Sequence, residues 1–270
     1  MSEKLVDVRN VNVKFGPFHV LKDVSFDIRP GETVGLVGES GSGKTTIGRS
    51  ILGIGPVTSG EIHFEGQEIG NVAPRNRTGD AARIQAVFQD PYTSLNPSMT
   101  IEDILTEPMI ARKIATREEA RARVRELLDQ VNLPADAAHR YPREFSGGQR
   151  QRVAIARALA LSPRLIVCDE PVSALDLSTQ AKVLDLFIEI QERTGVAYLF
   201  VSHDLAVVRH ISHRVAVMRS GEIVEFGDCD QVTARPEHPY TKRLLLAAPV
   251  PDPVRQAKRR EEFLALRDDA

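Results

Sequence analysis

The chain lacks any apolar run long enough to cross a bilayer. Its longest apolar-looking stretch, VAIARALALSPRLIVC, is interrupted by Arg157, Pro163 and Arg164. That is well short of the roughly 20 apolar residues a spanning helix needs, so any membrane role has to run through partners. Cysteine is nearly absent: the two present, Cys168 and Cys229, form no C-x-x-C pair and no metal-ligand spacing. A cysteine-built metal site is thereby excluded, and a reduced, cytosolic setting is expected. There is little net charge, 35 basic against 37 acidic residues, hence no electrostatic footprint for nucleic acid. The opening MSEKLVDVRN has neither an apolar core nor a small-residue cleavage site, so no signal peptide is expected. No internal repeat and no low-complexity segment interrupts the chain.

What remains is a chain of 270 residues, 42% hydrophobic and 27% charged, enough for a substantial core in one large domain or one domain with an insertion. Residues 5–37 alternate apolar with polar positions and predict short strands, VLKDVSFDI being the clearest, before the buried run TVGLVG. KTTIGRSIL then changes to helical spacing, and SGEIHFEGQEI predicts a hairpin with Gly66 at its turn, part of a small antiparallel layer. From Thr100 to Leu133 the pattern is helical and Pro134 ends it: Ala120, Val124, Leu127, Leu128 and Val131 recur at steps of three and four. Helix and strand then alternate: a helix over 149–160, RLIVCDE, a helix over 179–193, VAYLFVS, a short helix from Asp204, and RVAVMRS. Such alternation implies an α/β fold with a mostly parallel sheet, its active groups at the strands' C-terminal ends, and an inserted helical subdomain.

The chemistry concentrates in a few segments. GESGSGKT, Gly38 to Thr45, follows a predicted buried strand and precedes a helix, the context that gives the phosphate-loop pattern meaning. Gly38, Gly41 and Gly43 let the backbone of Glu39, Ser40 and Ser42 curl so that amides face an anion. Lys44 would reach the terminal phosphates and the Thr45 hydroxyl a Mg²⁺ ion, with Thr46 the last of the expected ATP-binding residues. RLIVCDEP ends a strand in Asp169, placed for the magnesium shell, and Glu170, placed to polarise an attacking water. Cys168 between strand and acids reads as a small buried hydrophobe. Gln89 in VFQD and His203 in LFVSHDL each follow an apolar run. Alone, either would be an ordinary surface group; beside a phosphate loop they become a metal ligand and a γ-phosphate contact.

The ordered set GESGSGKT, VFQD, FSGGQ, LIVCDEP, SALD and VSHDL resembles the ATP-binding subunits of ABC transporters, over nearly the whole chain to about Pro253. The resemblance implies a P-loop NTPase fold. It makes Phe15 the aromatic that stacks on adenine, with Phe18 as competitor; Gln89 the Q-loop residue; Asp169 the Walker B aspartate; Glu170 the general base; His203 the switch histidine; and Ser173 to Asp176 the D-loop. ATP and Mg²⁺ are the implied cofactors, the ion held by Thr45, Gln89 and Asp169. Ser146, Gly147, Gly148 and Gln149 would complete the ATP site of a second ATPase subunit, identical or homologous, in a head-to-tail dimer. Phe145 stands where the family more often has leucine.

VFQDPYTSLNP and HPYTKRLLLAAPVPDP further resemble the ATPase subunits of peptide and nickel importers. The expected organisation is an ATP-binding domain over 1–240, its helical subdomain about 98–155, and a C-terminal tail over 236–270 that packs on the core with Leu244, Leu245 and Leu246 buried. Some relatives bind an iron-sulfur cluster after such a tail; no cysteine stands there, so none is expected. The implied partners are two transmembrane permeases, contacted through a groove near Gln89 to Pro97 and the helical insert, and indirectly an extracytoplasmic solute-binding protein. The implied location is the cytoplasmic face of the bacterial inner membrane, as a peripheral subunit. A dipeptide or oligopeptide cargo is expected, with nickel or glutathione, or service in a soluble metabolic complex, as alternatives. A nucleic-acid ATPase would bring a second cassette, zinc motifs or charged linkers, and a plain P-loop kinase leaves FSGGQ and SALD unexplained.

Overall fold

In a computed structural model of the chain, which describes residues 4–70, 72, 76–77, 83–90 and 93–247, the alternating N-terminal segment forms β1 (Val6–Phe15) and β2 (Phe18–Ile28). These are strands of 10 and 11 residues, not short ones. Their register shifts between Val8 and Val13, beside Asn10, whose φ of 46° is left-handed. That irregularity breaks the period of two, and it explains why the pattern reads as pieces. β4 (Ser59–Phe64) and β5 (Gln67–Glu68) turn at Glu65 and Gly66, as the hairpin signal predicts. The antiparallel sheet has the order β2-β1-β4-β5.

The second sheet contains β3 (Thr33–Val37), β6 (Ile84–Val87), β7 (Leu165–Asp169), β8 (Ala197–Ser202), β9 (Arg214–Arg219) and β10 (Glu222–Asp228), in the order β10-β9-β3-β8-β7-β6. β3 runs parallel to β9 and β6 parallel to β7, while β10 returns antiparallel along the edge. Mixed sheets of this kind, with an antiparallel strand at one edge, are common in α/β proteins.

The chain divides into two compact units, one mainly Val72–Leu199 with Arg29–Glu32, the other Lys4–Ile28, Thr33–Asn71 and the chain from Phe200 onward. The first unit carries α2 (Ile101–Ala111), α3 (Arg117–Gln130), α4 (Gly147–Leu159) and α5 (Leu177–Thr194). The helical stretch is therefore two helices: the first ends at Arg112, Lys113 adopts φ 55°, and Thr116 opens the second with a reciprocal cap to Glu119. α3 stops at Gln130, before Pro134, and Arg152 Nη1 caps its end by donating to Val131 O at 3.0 Å. The periodic residues Ala120, Val124, Leu127 and Leu128 are buried as expected. α5 is tied to β8 by Tyr198, whose hydroxyl donates to Phe187 O at 3.2 Å and whose ring meets Phe187 edge-on at 5.4 Å.

The other unit carries α1 (Lys44–Leu52), α6 (Leu205–Ile211), α7 (Cys229–Ala234) and α8 (Pro239–Ala247). α6 packs so closely on β3 that a Cβ at Gly35 would lie 2.4 Å from Val208 Cγ1 and 2.4 Å from Ser212 Oγ. Arg214 clamps the sheets of this unit: Nη2 donates to Asp27 Oδ2 at 2.8 Å, and the guanidinium lies 4.7 Å over the Phe226 ring. In α8 the buried residues are Tyr240 and Thr241. Leu244, Leu245 and Leu246 are half-buried rather than buried, and Leu244 and Leu245 pack on a cluster that includes Val37, Val208 and Val232. The tail beyond Ala247, together with Pro91 and Tyr92, lies outside the described residues.

Phe187 is fully buried against Tyr198, so Phe187→Ala should cost about 3–5 kcal/mol of stability. Phe187→Leu, which leaves a smaller void, should cost clearly less; urea unfolding of the two variants checks the order.

Candidate functional site

All five residues of β3 are buried, and the chain turns from it into α1 through Gly38–Gly43. Gly41 and Gly43 have φ of 78° and 108°, values that side chains resist. At Gly43 a Cβ would also meet Leu21 Cδ2 at 2.7 Å and Val20 O at 3.2 Å. Gly43 is the N-cap of α1, so no side chain caps this helix, and its first turn holds no acidic residue. The positive end of the helix thus faces the turn without a carboxylate of its own, the arrangement that favours an anion. Lys44 is 5% exposed and folds back over the loop, Nζ donating to Gly38 O and Glu39 O at 2.8 Å each.

The loop is braced from outside by backbone. Ser42 N donates to Glu39 O at 3.2 Å, Gly221 N to Ser42 O at 3.0 Å, and Lys22 N to Gly221 O at 2.9 Å. Glu39, Ser40 and Gly41 are exposed, while Thr45 and Thr46 are half-buried. The Ser42 hydroxyl is buried with no hydrogen-bond partner among the described residues. Glu39 N donates to the hydroxyl of Tyr240, a residue of α8, at 3.2 Å.

His203 belongs to the same unit and follows β8, next to β3 in strand order. Its neighbours lock the turn, Asp204 N donating to Ser202 Oγ at 3.0 Å and Ala206 N to Asp204 Oδ1 at 2.7 Å, and His203 itself is exposed. Phe15 and Phe18 face each other across the β1–β2 hairpin, 49% and 72% exposed. Both aromatics are therefore open to solvent, and the geometry does not choose between them.

The other unit gathers the second set. β6 and β7 pair in parallel with Val87 opposite Cys168, so Gln89, Asp169 and Glu170 all follow the same ends of two adjacent strands. Gln89 is exposed; Asp169 and Glu170 are half-buried. Glu170 has φ 50°, a left-handed conformation costing a non-glycine residue about 1–2 kcal/mol. Its carbonyl accepts from Ser173 N at 3.3 Å and Ser173 Oγ at 3.0 Å, which holds the turn after the strand. Burial, reinforced by Asp169, pushes the Cys168 thiol well above its usual range, so it stays a protonated core residue.

Ser146 is the exposed N-cap of α4: its Oγ accepts from Gln149 N at 3.3 Å while Gln149 Oε1 accepts from Ser146 N at 3.0 Å. Phe145, where the family pattern has leucine, is 5% exposed and anchors the turn. Gly147 is half-buried and Gly148 buried, and a Cβ at Gly148 would lie 2.3 Å from Thr179 Cγ2. Thr179 is fixed because its Oγ1 and N both donate to Asp176 at 2.7 and 3.0 Å. These bonds, with one from Ser178 Oγ, hold the Asp176 carboxyl far below its usual range. Neither this packing nor the Tyr240 contact follows from the spacing of the motifs. The local sequence carries a signal for the first only in the second glycine of SGG, and for the second only in the tyrosine of HPY.

The ABC transporter family model matches residues 21–173. The model described as oligopeptide/dipeptide transporter, C-terminal region, matches residues 224–267. The oligopeptide transport ATP-binding protein OppF of Bacillus subtilis is 49% identical over 259 residues, covering 94% of this chain and 85% of that protein. Among solved structures, cbiO1 from Clostridium perfringens, part of the ABC transporter complex cbiONQ, superposes with a TM-score of 0.79 at 27% identity over 90% of this chain and 95% of that one. The ATP-binding cassette MJ0796, solved as a dimer bound to ADP and Pi, gives 0.73 at 33% identity over 83% of this chain and 98% of that one.

Because Gly148 is required by the methyl of Thr179 and not by its own backbone angles, Gly148→Ala should cost about 1–3 kcal/mol. Adding Thr179→Ser, which removes the methyl and keeps the bond to Asp176, should restore most of it. Melting curves of the single and double variants measure the recovery.

Proposed function

We propose, from the premise that this chain belongs to the ABC transporter family of ATPases, that it is the ATP-hydrolysing subunit of a membrane importer whose cargo is a peptide. The observation that carries the proposal is the turn between β3 and α1: a helix capped by glycine, without an acidic residue in its first turn, with Lys44 folded over the loop. That cradle fits the triphosphate of ATP, and the orphaned Ser42 hydroxyl is a buried polar atom that a bound phosphate oxygen would satisfy. Gly38 to Thr46 bind the phosphates, Lys44 carries charge to the β and γ groups, and Phe15 or Phe18 stacks on the base. The ATP-binding domain takes in residues 1–240 with its helical insert at about 98–155.

The donor set also fits Mg²⁺. By chemistry Thr45, Gln89 and Asp169 would hold the ion, each offering a hard oxygen ligand. A cation held by few protein oxygens and completed by substrate phosphates is the normal magnesium arrangement. When bound, it would neutralise charge developing on the phosphates. Glu170 accepts the proton of the water that attacks the γ phosphorus; the bond to the bridging oxygen breaks, leaving ADP and phosphate. Its left-handed backbone keeps the side chain at the strand end, where strain is retained for function. His203 steadies the γ-phosphate.

Ser146 to Gln149 complete the site of a second ATPase subunit. The exposure of Ser146 at the start of α4 supports this, since a helix N-terminus accepts a phosphate from a partner as readily as from its own chain. The dimeric state of MJ0796 with ADP and Pi is the corresponding arrangement in a relative. In the Val72–Leu199 unit, a cleft of about 440 Å³ lined by Val87, Phe88, Ser94, Pro108, Arg112 and Arg157 offers a seat for a permease. As the ATPase of an importer the chain would be a peripheral subunit at the cytoplasmic face, working with two permeases and, through them, a solute-binding protein, a reading supported by its similarity to OppF. A peptide cargo rests on OppF and on the tail, residues 236–270.

Glu170→Gln should lower turnover at least about 100-fold while the ATP dissociation constant stays within about twofold; near-normal hydrolysis would remove Glu170 from the role of base. Ser146→Arg should abolish ATP-driven dimerisation in light scattering and leave binding of ATP to the monomer intact.

A further inference from the structure

The tail of this chain reaches its nucleotide loop. Tyr240, in the first turn of α8, is 4% exposed, packed in the cluster with Val37, Val208, Val217 and Val232, and its ring lies 5.1 Å from the Arg219 guanidinium. Its hydroxyl accepts from Glu39 N at 3.2 Å. The carbonyl of that same peptide group, Gly38 O, accepts from Lys44 Nζ at 2.8 Å, and the next carbonyl, Glu39 O, accepts from Lys44 Nζ at 2.8 Å and from Ser42 N at 3.2 Å. The peptide through which β3 enters the turn is thus held at both its polar atoms, the carbonyl by Lys44 and the N–H by a residue 201 positions from Glu39.

The tyrosine is itself held in place. Tyr240 N donates to His238 Nδ1 at 3.1 Å, while the Glu225 carboxylate accepts from Glu237 N at 2.8 Å and His238 N at 3.1 Å. Burial works against ionisation of Glu225, yet the donors converging on it keep its pKa below the ordinary glutamate value, so it is an anion at neutral pH and a strong cap for the chain entering α8. Burial likewise pushes the Tyr240 phenol up, so it remains a neutral hydroxyl.

From this geometry we infer that Tyr240 is a positioning residue of the nucleotide site: by fixing the Glu39 amide it holds the phosphate loop in its binding conformation, so that docking of α8 sets ATP affinity. The inference rests on the phosphate-loop reading above. A loop that spends only a fraction of its time in the competent shape shows an affinity reduced by that fraction. By linkage, ATP bound to the loop stabilises the docked tail to the same degree.

The test is Tyr240→Phe in the full chain, which keeps the ring and removes the hydroxyl. Calorimetry with MgATP should show a dissociation constant raised about 3- to 10-fold, the size expected for one lost hydrogen bond. Hydrogen exchange in the nucleotide-free protein should be faster at the Glu39 amide, with a melting temperature within about 2 °C of the parent. Val232→Ala, which loosens the same cluster and leaves the hydroxyl, separates packing from positioning: an equal loss of affinity there overturns the proposal, and an unchanged affinity supports it. Unchanged ATP affinity and Glu39 exchange in Tyr240→Phe overturn it as well. Lys44→Ala is the control for the underlying reading. If that variant binds ATP normally, the phosphate loop itself is wrongly assigned; if it loses ATP while Tyr240→Phe does not, only the role of Tyr240 falls.

Discussion

The turn between β3 and α1 depends on one constraint: if it receives phosphates as proposed, no side chain can cap the helix it opens. A serine or aspartate cap at the start of α1 would occupy the amides and place negative density where the ligand's must go. Gly43 stands there instead, at φ 108°, and the stability a cap would have given has to come from elsewhere. It comes from backbone bonds, Gly221 N on Ser42 O, Lys22 N on Gly221 O and Ser42 N on Glu39 O, and from the Lys44 side chain, whose Nζ donates to the same Glu39 carbonyl. The fit of Gly43 against Leu21 and Val20 belongs to the same solution, since it lets β2 press on the loop from behind.

The second glycine pair solves a different problem. Gly147 and Gly148 show no left-handed backbone, and α4 is capped in the ordinary way by Ser146 with Gln149 in return. Gly148 is needed because the Thr179 methyl fills the space of a Cβ, and that methyl is fixed by Asp176. One glycine-rich segment is therefore glycine for conformation, the other for close approach. SGGQ is therefore no second copy of the Gly38–Gly43 turn: its cap is a hydroxyl that remains exposed at a helix start.

The parts of the fold legible in the sequence are those governed by local rules. The change of period at Lys44, the turn at Gly66 and the buried strands 165–169 and 197–202 follow from spacing and turn chemistry. The β10 strand, EIVEFGD, is not legible because all five of its inner residues are half-buried at a sheet edge, so neither alternation nor a continuous apolar run marks it. The break at residues 112–116 is not marked by a glycine or proline: the chain turns on Lys113 at φ 55°, and Thr116 opens the second helix. Among the site residues, position along the strands was legible and the support was not. Thr179 behind Gly148, and the left-handed Glu170, depend on contacts and angles that no short window of sequence contains.

The tail illustrates the limit most clearly. The three leucines suggested an apolar helix driven into the core, yet the fully buried residues are Tyr240 and Thr241, while Leu244 to Leu246 remain half in solvent. A nine-residue helix is marginal in isolation, and half-buried leucines recover only part of the free energy of full burial. Its attachment therefore leans on a few polar contacts of good geometry: the Glu225 carboxylate on the amides of Glu237 and His238, the His238 ring on Tyr240 N, and the Tyr240 hydroxyl on Glu39 N. Polar contacts of this kind switch with small displacements where apolar area changes gradually. A segment so attached responds to the shape of the loop it touches, which a deeply buried helix would not do.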